Sequence, residues 1–187
     1  MPNRNWRDLS YLQTGTDRQQ AAYAAIRQAQ VMSHLADYHP VLAGTLPLDI
    51  DIPGSDLDIL CYAPNLATFA ADVYKHYGSI SGFSAADKVI KGRPEHIARF
   101  TAYGFDFELF AQAIPVEQQY GYIHMQVEAR LLNLFPQAKD PIRALKRDGL
   151  KTEPAFGHYF GIIGDPYAAL LDLTTLDDET LLRRFTR

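Results

Sequence analysis

One cysteine, Cys61, occurs in 187 residues, which excludes an internal disulfide and leaves a packed thiol in an apolar strand context as the simplest reading. That usage fits a reducing cytoplasm. No run approaches the roughly 20 apolar residues that cross a bilayer, and the opening MPNRNWRDLSYLQ lacks the apolar core of a signal peptide. The expectation is a cytoplasmic protein with no membrane partner. Basic residues are also short: 18 Lys and Arg stand against 22 Asp and Glu, a net charge of −4. No basic stripe tracks a polynucleotide backbone, which argues against a polynucleotide partner and for a small-molecule or protein substrate. Repeats, low-complexity tracts and an obvious linker are missing as well.

What is there is a foldable chain, 47% hydrophobic and 21% charged, of a length that suits one compact unit. Thr16-Asp-Arg-Gln19 has the spacing of a capping box, and apolar residues follow at helical intervals, so a helix is expected over 16–37, stopped at His39-Pro40. Val41–Ala43 reads as a short strand ending at Gly44-Thr45. Residues 56–62 alternate as a strand, and Asn65 caps a helix that ends at Gly78. Strands are expected over 84–90, 97–103 and 105–112, the last two joined at Gly104. The remainder reads as helical, with a helix over 124–134 and caps at Asp140-Pro141, Thr152-Glu153-Pro154 and Asp165-Pro166. The expected organisation is an α/β core over 1–115 and a helical region over 116–187 packed on it.

The stretch AGTLPLDIDIPGSDLDILC carries four aspartates, Asp49, Asp51, Asp56 and Asp58, in apolar surroundings. A calcium loop fails, because Pro53 and Leu60 stand where an EF-hand needs oxygen ligands. A two-metal phosphoryl or nucleotidyl transfer site fits better. That chemistry gathers carboxylates around cations about 3.5–4 Å apart, and Asp56 and Asp58 project from one strand face at roughly 6.5–7 Å. Asp106 and Glu108 offer a third carboxylate from a later strand, and Gly44-Thr45 offers a turn of amides for phosphate. Asp49 and Asp51 read instead as loop acids that cap the backbone.

Gly44-Thr45, ten residues, Asp56-Leu57-Asp58 and a later strand acid resemble the signature of the nucleotidyltransferase superfamily; Ser55 before Asp56 matches its Ser-Asp-x-Asp form. GTLPLDIDIPGSDLDI, FELFAQ, YIHMQVEARLL and LKTEPAF are more closely similar to an uncharacterised bacterial family, domain of unknown function 4269, over nearly the whole chain. The resemblance implies an α+β fold, a nucleotidyltransferase-like mixed β-sheet flanked by helices with a C-terminal helical region. It implies Gly44, Thr45 and Ser55 at the phosphates, and Asp56 and Asp58 as ligands of Mg2+ or Mn2+. Glu108 is the preferred third carboxylate and Asp106 its rival, in a role that binds metal, accepts the acceptor's proton, or both. An NTP would be the donor, and a hydroxyl of a small molecule or protein the acceptor. Thr45 stands where serine is usual and brings a methyl group towards the phosphates. A catalytically inactive relative that binds a nucleotide or a partner is the alternative.

Lys88, Lys91 and Arg93 in DKVIKGRP are candidates for holding phosphate or a solvated face, and Arg99 is a candidate partner of Glu108 or of the ligand. His124 and Glu128, at i and i+4, read as a helix-packing pair rather than metal ligands. Tyr120 and Tyr122 read as core or pocket lining, and Lys151-Thr152-Glu153 as a helix cap.

Overall fold

The computed structural model describes residues 4–90 and 92–186. Among the described residues eight α-helices, α1 (Asp17–Ala29), α2 (Val31–His34), α3 (Leu66–Tyr77), α4 (Tyr120–Leu134), α5 (Lys139–Arg147), α6 (Thr152–Phe160), α7 (Pro166–Asp172) and α8 (Asp178–Phe185), accompany five strands. The strands are β1 (Val41–Ala43), β2 (Leu57–Tyr62), β3 (Ser84–Ile90), β4 (Arg93–Ala102) and β5 (Phe105–Gln112). They form one sheet in the order β1-β2-β5-β4-β3. Only the central β2–β5 pair is parallel. The architecture is an α+β fold, a mixed sheet flanked by helices with a C-terminal helical region.

Side-chain alternation divides the sheet into two apolar faces. Leu57, Ile59, Cys61, Phe100, Phe107 and Leu109 pack against Ala22, Ile26, Phe69 and Val73 of α1 and α3. Val41, Ala43 and Leu60 pack on the other side against Met125, Leu131, Ile142 and Phe156 of the C-terminal helices. Tyr77, Phe100 and Phe107 stack in near-parallel sequence, with centroids 4.6 and 4.8 Å apart. Since Phe100 faces Phe107 across β4 and β5, the stack pins their register, at about 0.5–1.5 kcal/mol per pair beyond burial.

Thr16 does cap α1 in a full capping box with Gln19. The expected single helix over 16–37 divides at Gln30, which takes φ +54. Its freed carbonyl at Ala29 accepts from the Tyr77 hydroxyl at 3.3 Å, so a tertiary donor replaces the lost helical bond. β4 begins at Arg93, four residues ahead of the expected start, because β3 pairs with it through Ile90↔Arg93. Pro94 is tolerated there: the β4–β5 ladder ends at Glu95↔Gln112, so its missing N–H faces no strand on that side. Helix α5 starts at Lys139, with Asp140 inside the first turn and bonded to Arg143 at 2.7 Å rather than capping. Lys91 lies outside the described residues. Among the described residues no helix is long and apolar enough to cross a membrane.

Candidate active site

The segment between β1 and β2 is held from two sides. Gln19 of α1 donates through Nε2 to the Leu46 carbonyl at 2.9 Å. Arg18 donates through Nε to Asp51 Oδ2 at 2.6 Å and through Nη2 to the Ser55 carbonyl at 3.1 Å. From the opposite side, Lys139 donates to Asp49 Oδ2 at 3.0 Å, Arg143 donates to both the carboxylate and the carbonyl of Asp49, and Lys146 donates to the Ile50 carbonyl at 2.9 Å. Asp49 and Asp51 are therefore braces between the segment and its flanking helices, beyond the local capping expected of them. Two of the four aspartates are accounted for structurally.

The other two face a cavity of about 480 Å³ between the sheet and the C-terminal helices. Asp58 stands in register with Ala43 of β1 on one side and Glu108 of β5 on the other. Glu108 in turn faces Arg99 of β4, whose guanidinium donates to Glu108 Oε2. One row across the sheet thus reads Ala43, Asp58, Glu108, Arg99. Neighbouring strands lie about 4.8 Å apart, so the carboxyl groups of Asp58 and Glu108 are set side by side. Asp56 precedes β2 by one residue and lines the same cavity.

Gly44 closes this end of the row. Its φ is +73, and a Cβ built there would collide with Oδ2 of Asp58. Glycine is required both by the left-handed backbone and by the carboxylate laid against it. Thr45 follows, and its carbonyl accepts from the amides of Leu48 and Ile50, each at 3.2 Å. Ser55 ends the tight turn through Pro53 and Gly54, with its Oγ accepting from the Ile52 amide at 3.0 Å.

The electrostatics follow from this crowding. Burial, then repulsion from Asp56 and Glu108, push the Asp58 carboxyl up to about 8, with Lys146 opposing. Burial holds the Lys146 ammonium below the ordinary lysine range, against the pull of Glu128 and Asp51. Opposite the sheet, Glu128 of α4 is 3% exposed, its Oε1 has no hydrogen-bond partner, and burial followed by repulsion from Glu153 drives its carboxyl well above the usual range. His124 directs Nδ1 to Glu153 Oε1 at 3.4 Å and Nε2 to the Tyr167 carbonyl at 3.0 Å.

The cavity accordingly unites Gly44, Thr45, Ser55, Asp56, Asp58 and Glu108 of the sequence-derived set. It does not include Asp106, which shares the Glu108 face one step further along β5 and is bonded by the Thr101 hydroxyl. Nor does it include Lys88, on the fully exposed strand β3, or Arg93, whose guanidinium sits 5.2 Å from the Tyr120 ring centroid. Arg99 is resolved as the partner of Glu108. Sequence reasoning missed Lys146 and Glu153 as wall residues and assigned Glu128 only to packing. The signal was available: Glu128 falls between Met125 and Leu132, and Lys146 four residues after Ile142, each a charge on an apolar helical stripe.

Chemically, the carboxylates facing Gly44-Thr45 are hard oxygen donors of the kind that take Mg2+ or Mn2+. Repulsion between Asp58 and its two acidic neighbours is a cost that a divalent cation would relieve. Among the described residues no three His, Cys, Asp or Glu side chains already converge on one point at metal-ligand distances; Glu108 is turned to Arg99 instead.

The fold recurs in solved structures of low sequence identity. The poly(U) polymerase Cid1, solved with MgGTP bound, superposes with a TM-score of 0.54 at 13% identity, over 87% of this chain and 53% of that one. A cytoplasmic RNA terminal U-transferase gives 0.53 at 13% identity, over 83% and 47%. GLD-2, in complex with RNP-8, gives 0.53 at 9%, over 92% and 74%. This chain spans about half the length of the first two, and the likeness is one of nucleotidyltransferase fold. No curated protein matches it in sequence. Residues 24–173 match the family described as domain of unknown function (DUF4269), and the chain belongs to that family.

Proposed function

We propose that the protein is a metal-dependent nucleotidyltransferase of the cytoplasm that moves a nucleoside monophosphate from an NTP to a hydroxyl of a small molecule or protein. The observation that carries this reading is the row in which Asp58 and Glu108 adjoin across β2 and β5, with Asp56 at the cavity and Gly44-Thr45 against Asp58. Asp56 and Asp58 would hold Mg2+ or Mn2+, with Glu108 as third ligand once released from Arg99. The bound cations would neutralise the triphosphate and align it for in-line attack. The Gly44-Thr45 turn would offer backbone N–H groups to the phosphates. The acceptor oxygen would bond to the α-phosphorus as the bond to the bridging oxygen of the β-phosphate breaks, releasing pyrophosphate, and Glu108 would take the hydroxyl proton.

A polymer acceptor fits less well, because the cavity wall opposite the sheet is acidic. The regulator reading has one observation of its own, the ion pair that engages Glu108 with Arg99. Calorimetric titration of each NTP with magnesium, into wild type and an Asp56→Asn/Asp58→Asn protein, tests the binding half of the proposal. Metal-dependent binding of a nucleotide, lost in the double variant, is expected. Transfer of label from that nucleotide should then vanish in Asp58→Asn; equal turnover in that variant would overturn the catalytic assignment.

A further inference from the structure

With three acids assigned to metal, the cavity still holds two carboxylates that the proposed transfer does not use, Glu128 on α4 and Glu153 on α6. Both are on the helical wall facing Asp56 and Asp58. Lys146 is the only cation among the described lining residues, and its ammonium already donates to the Ile50 carbonyl. Glu128 is almost fully buried, yet its Oε1 is without a partner. A desolvated acceptor left unpaired is a cost that folding alone leaves standing. His124 Nδ1 lies 3.4 Å from Glu153 Oε1, and its ring is anchored through Nε2 on the Tyr167 carbonyl.

We propose that Glu128 and Glu153 form the acceptor subsite, and that they select a small hydroxyl compound bearing a protonated amine. This rests on the nucleotidyltransferase reading for the identity of the reaction, but the subsite itself can be tested without it. An ammonium supplies N–H donors for the orphaned Oε1 and a second positive charge beside that of Lys146 to offset the repulsion between the two acids. A neutral polyol supplies donors without the charge. A polynucleotide brings phosphates against the same two carboxylates and is repelled. The cavity volume lies within the range of small-molecule sites.

Titration of the isotope-labelled full chain with D-glucosamine and with D-glucose, followed by NMR, isolates the ammonium, since the two sugars differ only there. Glucosamine should bind at least about tenfold more tightly than glucose, with shifts at α4 and α6. Glu128→Gln and Glu153→Gln are isosteric and should keep the fold; each should cut glucosamine affinity about tenfold. Equal affinity for the two sugars, or no binding of either at about 50 mM, would overturn the subsite, as would undiminished glucosamine binding in both variants. Magnesium–NTP titration in parallel separates the two proposals: amine selectivity without nucleotide binding retains the subsite and removes the transferase, and the reverse does the opposite.

Discussion

Asp58 pays for its position with an unfavourable charge. Its ordinary value is 3.8 and its folded value about 8, so the folded state binds the proton more tightly than the unfolded chain. The stabilisation is complete below pH 3.8 and is lost as pH rises through about 8. Urea denaturation of the metal-free protein should therefore show stability falling between pH 5 and 8, on the order of a few kcal/mol. Asp58→Asn should reduce that fall, leaving the part owed to the buried Glu128 carboxyl, and exceed wild type near pH 9; a variant with the wild-type slope would show that the Asp58 charge is not where the cost lies. Gly44→Ala probes the same contact from the other side. Strain at a positive φ together with the displaced carboxylate should cost about 1–3 kcal/mol, and, on the proposed metal role of Asp58, magnesium affinity should drop roughly 10–100-fold, read by calorimetry. Unaltered metal binding would show that the turn does not set the carboxylate.

At the scale of elements, the loop between β1 and β2 is as firmly tied as a strand. Arg18 is its principal tie to α1, reaching Asp51 and Ser55 while lying 4.9 Å from the Phe105 ring centroid. Arg18→Met leaves the Asp51 carboxylate buried without its cation and should cost about 1–3 kcal/mol in urea denaturation with an unchanged denaturant slope. An added Asp51→Asn change should recover part of that loss. These ties explain what could and could not be seen in the sequence. The Thr16–Gln19 box, the Asn65 cap and the alternation of β5 are local patterns, and α1, α3 and β5 begin where those patterns place them. That Asp56 and Asp58 share one side of the sheet, and Asp106 and Glu108 likewise, was legible because strand spacing is regular. The partners of Asp49 lie 90 and 94 residues away, and the break at Gln30 depends on Tyr77; no local pattern encodes either. Glu128, Glu153 and Lys146 meet only because three helices dock on one sheet face.

Across the whole molecule, that docking gives the sheet its second apolar face, with residues from β1 and β2 packed among those of α4, α5 and α6. We infer that the stretches 1–115 and 116–187 fold as one unit. A single transition is expected, with near- and far-ultraviolet circular dichroism and tryptophan fluorescence coinciding in midpoint. Resolved transitions would separate the helical region as a domain of its own.

Cys61 lies one strand face behind this assembly, 0% exposed, and burial pushes its thiol up. Because no second cysteine occurs in the sequence, that sulfur works as a stopwatch started only when the sheet comes apart. Under native conditions a thiol reagent should label it at a rate set by the opening equilibrium. Any ligand confined to the closed form slows the clock by the factor 1 + [L]/Kd. Nucleotides, metals and amines can thus be ranked by how long they delay one chemical event, before any of them has been shown to react.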